Sequence, residues 1–258
     1  MATVRLVQPT AIKLIATKKN MQNLTVGFTL LSEEFRAAYA EPIRHRLPKD
    51  TNPNHTGFLS CPAVRSTIEN TFEVCSPFSL KLRAEVEKGN LQIKPVYPFT
   101  SVAQPILRKL LTVEDPRTWR HSTRPIVQIV SPFVFYADEP VLIEQFDSSL
   151  SERSKLNWRI IPGKFDIYAW QRPVNWAFEW DTTSGDFEIR LGETQYCVKF
   201  TATDRALSNQ AVTLEKRELT AKLKERLQES AGISKVRRGT MALLKSASGN
   251  RSSIKLLE

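Results

Sequence analysis

The chain has 258 residues, 41% of them apolar and 25% charged, and a net charge of +10. That composition is ordinary for a globular protein and leaves room for one large domain or two small ones. No run of 18 or more apolar residues occurs, so no membrane partner is expected, and residues 1–20 lack the continuous apolar core of a secretory signal.

Cys61, Cys75 and Cys197 form no C-x-x-C pair, which argues against a disulfide framework and a structural zinc site. No cofactor is expected. Cys75 and Cys197 lie in apolar, strand-like runs and read as small buried hydrophobes.

The positive charge is uneven. Residues 205–258 hold 12 Lys/Arg against 5 Asp/Glu, a net of +7, whereas residues 1–204 hold 25 against 22, a net of +3. This divides the chain into a body at 1–204 and a basic, helical C-terminal arm at 205–258. Lys235, Arg237 and Arg238 are the arm's candidate contacts, facing nucleic acid or an acidic protein surface.

Residues 25–31 read as a short strand. Residues 32–39 read as a short helix with Ser32 as N-cap and Phe35 and Tyr39 on one face. A polar loop follows at 48–57. Residues 71–75 read as a strand, and 79–86 with 91–93 as a hairpin turning at 87–90. Residues 102–113 read as a helix or an irregular connection. Apolar runs at 126–130, 133–136 and 141–146 read as three further strands.

Four of the five tryptophans, Trp158, Trp170, Trp176 and Trp180, fall within 23 residues. Val174, Trp176, Phe178 and Trp180 recur at every second position, the period of a strand with one apolar face. Phe187, Ile189 and Leu191 alternate next, then Tyr196, Val198 and Phe200, so this region reads as a three-strand antiparallel meander. Its tryptophan face reads as core, because aromatics bury large areas. Trp170, beside Arg172, is expected to be partly exposed. Both are candidate binding residues.

From Ser208 the alternation stops and helix formers dominate. Leu219, Leu223 and Leu227, with Val212 before them, predict one amphipathic helix over 208–231 whose stripe docks on the body or on an oligomer partner. Residues 233–258 offer few core-forming side chains and read as dispensable for folding. The fold class is therefore mainly β: an antiparallel sandwich or barrel, jelly-roll-like, with a C-terminal amphipathic helix and basic tail.

Catalytic signals are sparse. His45, His55 and His121 begin no metal-binding pair, and no P-loop, G-x-S-x-G or G-x-G-x-x-G is present. The weak catalytic candidates are Asp138, Glu139, Asp166 and Glu193. Gathered in one cleft they would serve acid–base work or hold a divalent cation.

Several segments carry a family likeness: CPA at 61–63, NTFEVCSPFSL at 70–80, FYADEPV at 135–141, PGKFDIYAWQRPVNWAFE at 162–179 and GETQYCVKF at 192–200. In that order they resemble an uncharacterised family of proteins encoded by tailed bacteriophages, with distant bacterial relatives. The likeness spans roughly residues 60–203 and brings no catalytic motif with it. It implies a viral protein working in the virion or the host cytoplasm, with other phage or host proteins, or copies of itself, as partners. Two other readings stand beside it: a carboxylate-lined β-barrel enzyme or small-molecule binder, and a nucleic-acid binder acting through the tail.

Overall fold

The computed structural model describes residues 24–31, 38–46, 61–87, 90–147, 157–204, 206–207, 210–231 and 255–257. The helix expected at 32–39 and the loop at 48–57 fall largely or wholly outside them, as do Lys235, Arg237 and Arg238. The protein is mainly β, and among the described residues four sheets form and no barrel closes.

The first sheet has the order β15-β1-β8, from Val212–Lys216, Leu24–Leu30 and Phe133–Tyr136. A second has the order β11-β9-β14-β3-β2, from Gly163–Asp166, Val141–Phe146, Thr194–Ala202, Thr71–Cys75 and Ile43–Arg44. The third and fourth are β10-β12-β7-β6 (Trp158–Ile160, Trp176–Trp180, Ile126–Ile129, Leu111–Val113) and β13-β4-β5 (Phe187–Ile189, Leu80–Glu87, Asn90–Pro95). The helices among the described residues are short: α1 at Pro62–Ile68, α2 at Gln104–Leu110 and α3 at Ala221–Ala231.

The third and fourth sheets pack face to face. Phe178 of β12 stacks on Phe187 of β13 with ring centroids 4.3 Å apart, and Trp158 lies 5.1 Å from the same ring. Trp176 reaches Tyr196 of the second sheet at 6.3 Å, and Phe135 of β8 reaches Phe200 of β14 at 5.4 Å. One continuous apolar core results. Trp176 and Trp180 are buried in it, as the alternation of β12 predicts, and Trp158 of β10 is buried beside them.

The expected meander does not form. β12, β13 and β14 enter three different sheets: β12 pairs with β7, β13 with β4, and β14 with β3 and β9. Alternation tells which face of a strand is apolar, but not which strand lies beside it. Here Phe187 is used across the sandwich against β12 rather than alongside it.

The single helix expected over 208–231 is also corrected. Residues 212–216 form β15, parallel to β1 with Val212 opposite Leu24 and Lys216 opposite Phe28. Asn70, in the left-handed region at φ 59°, receives this strand: its Oδ1 accepts from Val212 N–H at 2.8 Å, and its Nδ2 donates to Gln210 C=O at 2.9 Å. The helix starts only at Ala221, where the Thr220 hydroxyl accepts from Leu223 N–H at 3.2 Å as an N-cap. The β1 edge, together with the strand preference of β-branched Val212 and Thr213, outweighs the helix-forming residues that follow.

β8 explains how α3 is held. Phe133 and Phe135 point into the main core, while Val134 and Tyr136 point the other way, and all four are buried. The outer pair meets Leu223 and Leu256, with Leu219, Leu227 and Leu257 packed around them. The leucine stripe therefore docks on the body, one of its two expected destinations. Residues 255–257 dock there too, so the terminal segment is not without core-forming side chains.

Candidate functional site

Each sequence-derived carboxylate has a local position. Asp138, at the end of β8, accepts from Leu256 N–H at 2.5 Å and from Leu257 N–H at 3.2–3.3 Å. It holds the C-terminal segment. Asp166, ending β11, accepts from Tyr168 and Ala169 N–H at 2.8 and 3.3 Å, capping the turn that follows. Glu193 accepts from Arg190 N–H at 2.9 Å, across the turn in which Gly192 takes φ +80°. Glu139 is exposed.

Register fixes their spacing. Asp166 pairs with Leu142, so it lies at the same sheet end as Asp138 and Glu139. Glu193 precedes β14, whose nine residues end with Ala202 opposite Val141. At ~3.3 Å per residue Glu193 lies about 30 Å away. The four carboxylates therefore do not share a cleft. Among the described residues no group of three His, Cys, Asp or Glu side chains could hold a metal ion.

The two described histidines, His45 and His121, are each held by a nearby side chain. His45 Nδ1 bonds Glu73 Oε1, and Thr194 Oγ1 donates to Glu73 Oε2 at 2.6 Å. The carboxylate sits in the middle, so the hydroxyl has no contact with the imidazole that would deprotonate it. His121 Nδ1 lies 2.9 Å from Thr123 Oγ1 and accepts from Thr123 N–H at 3.3 Å, and its C=O accepts from Arg124 N–H at 2.9 Å.

Trp170 is partly exposed, as expected. The Arg172 guanidinium lies 4.6 Å from its ring centroid, and Phe165 meets the ring edge-on at 5.5 Å. Burial lowers the Arg172 pKa, and its Nε donates to Pro173 C=O at 3.3 Å. This is a rigid aromatic–cation shelf beside β11, and stacking of this kind suits a half-buried arginine.

Two polar clefts lie near residue 157. One of about 400 Å³ is lined by Arg120, Arg124, Arg159, Glu179 and Asp181. The other, about 580 Å³, contains Asp186, Glu188, Arg190 and Glu193. Its charges are largely matched: Arg83 pairs with Asp186 at 2.8 Å, and Lys81 and Arg190 pair with Glu188 at 3.5 and 3.2 Å. Arg83, as hydrogen-bond partner and as charge, holds Asp186 below the usual carboxylate range.

A third groove, about 320 Å³, is apolar. It lies where β5 and β6, the outermost strands of the two facing sheets, leave the sandwich open beside α2. Leu82, Ile93, Leu107, Val113 and Val127 line it. Val113 is 45% exposed and Ile106 on α2 is 51% exposed. Sequence reading missed this groove. β6 is three residues long, and the only available sign was the alternation of Leu91 and Ile93 at the hairpin's outer strand.

Compared with protein-family models and with curated proteins, the chain matches none. No helix among the described residues is long and apolar enough to cross a membrane.

Proposed function

We propose that this chain is a non-catalytic protein-binding component encoded by a tailed bacteriophage, acting in the virion or the infected host. The observation that carries the reading is the fate of the candidate carboxylates. Three are engaged by backbone amides, Asp166 and Glu193 as local caps and Asp138 by the returning C-terminal segment, and Glu193 stands about 30 Å along β14 from the others. The carboxylate-lined enzyme required them to converge. The segments resembling a phage family supply the viral origin, and the open apolar side of the sandwich suits a protein that contacts other proteins.

Mass spectrometry of purified particles, joined to cross-linking in infected cells, tests this. The expected result is the chain in virions in a defined ratio to the structural proteins, or cross-linked to a discrete phage or host protein. Absence from particles together with absence of any cross-linked protein overturns the reading.

A further inference from the structure

The open side of the sandwich is bordered by two strand edges, β5 and β6. In the β4–β5 ladder Val96 N–H donates to Lys81 C=O at 2.9 Å, and the register runs unbroken from Leu82↔Pro95 to Glu87↔Asn90. Antiparallel pairs alternate between hydrogen-bonded and non-bonded. Counting from Val96, residues 94 and 92 bond inward to β4, so the N–H and C=O of Leu91 and Ile93 point away from the sheet. The same count on β6, from Val130 N–H to Leu110 C=O and Glu114 N–H to Ile126 C=O, turns Val113 outward. No described residue pairs with these groups.

Between the two edges lies the apolar groove, floored by Leu82 and Val127, which are fully buried. Leu91, Ile93 and Pro95 alternate with the exposed Gln92 and Lys94, so the apolar face of β5 is turned into it. Arg108 stands at its rim and Lys109 next to it, and among the described residues neither forms an ion pair with a carboxylate.

We propose, resting on the protein-binding reading above, that this groove captures an extended segment of another protein. That segment adds as a strand outside β5, with alternate apolar side chains in the groove and an acidic residue against Arg108. Main-chain bonds to Leu91 and Ile93 supply register, and the groove selects every second side chain. Charge decides against a second copy of this chain as occupant. Lys94 is neutralised by Glu85 and Glu87 on β4, but pairing two grooves gathers Arg108 and Lys109 from both copies, and like charges across a pairing edge are what proteins use to prevent self-association. Pro95, which has no N–H, closes the edge at its end.

The test uses the full chain and a fluorescein-labelled nine-residue peptide of alternating valine and serine with a terminal aspartate. Its controls are a peptide of the same composition with contiguous valines, and one with lysine in place of aspartate. Saturable binding is expected to the alternating peptide, weaker for both controls, with the Leu91 and Ile93 amides protected from hydrogen exchange on binding. Ile93→Pro removes an outward donor while leaving the bonds to β4. It is expected to weaken binding by up to about tenfold, the scale of one net hydrogen bond. Arg108→Glu, on an exposed helix face, is expected to shift preference from the aspartate to the lysine peptide by about 2–5-fold.

No saturable binding overturns the proposal, as does binding that leaves those amides unprotected and is indifferent to both substitutions. A photo-cross-linker at Val113 or at Lys164 in infected cells separates the two levels of the argument. Protein captured from 164 but not 113 overturns the groove alone. Capture from neither counts against protein binding altogether.

Discussion

Replacing Trp176 separates packing from hydrogen bonding inside the tryptophan cluster. The side chain is fully buried, and its ring lies 5.9, 5.2 and 6.3 Å from those of Trp158, Phe178 and Tyr196. Trp176→Ala removes a large core side chain with no solvent to fill the void, at a cost of about 3–5 kcal/mol. That is a large share of the roughly 5–15 kcal/mol that holds a domain together. Phenylalanine gives the sharper test. Trp176 Nε1 is buried without an acceptor, so Trp176→Phe deletes an unsatisfied donor that costs about 1–3 kcal/mol. This offsets much of the lost ring volume, and the net change should stay within about 1 kcal/mol. Trp180 is equally buried, but its Nε1 donates to Gly185 C=O at 3.0 Å. Trp180→Phe therefore loses both volume and a bond, and should cost about 2–3 kcal/mol. Urea unfolding followed by circular dichroism measures all three. Equal costs for the two phenylalanine variants, or a cost below about 1 kcal/mol for Trp176→Ala, would refute the reasoning.

Leu256→Ala should release the terminal segment at a cost of about 2–3 kcal/mol, and Asp138→Ala should do so at about 1 kcal/mol, as for a lost cap. Both should speed proteolysis near residues 255–257 without altering the core. Gly27 faces Tyr136, and a Cβ there would lie 2.7 Å from the Tyr136 ring and from Leu257. Gly27→Ala should cost about 1–3 kcal/mol and displace the same segment, seen as faster amide exchange at Leu256 and Leu257. Asp186 is held below its ordinary value of 3.8 by Arg83, so its contribution is full above that pH and disappears as pH falls through the lower folded value. Asp186→Asn should flatten the acid limb of stability below its ordinary value of 3.8 in urea titrations, and an unchanged limb would remove Arg83–Asp186 from the account.

Much of the architecture could be read along the chain because it depends on local period. Trp176, Phe178 and Trp180 at every second position make an apolar strand face wherever that strand ends up, and the hairpin of Leu80–Glu87 with Asn90–Pro95 joins neighbours in sequence. The basic tail, the leucine stripe and the partial exposure of Trp170 are likewise properties of composition and spacing. Pairing between distant segments is a different matter. Residues 212–216 carry helix-compatible chemistry and become a strand because the β1 edge and the two bonds from Asn70 wait for them. Asp138 reads as a candidate acid in a turn, and only the return of the chain at Leu256 gives it two amides to hold. The groove exists in no single segment: it is the gap between two sheet edges that local alternation cannot place side by side. Faces are determined by neighbours a few residues apart, whereas partners are determined by which apolar surfaces and unpaired edges meet in three dimensions.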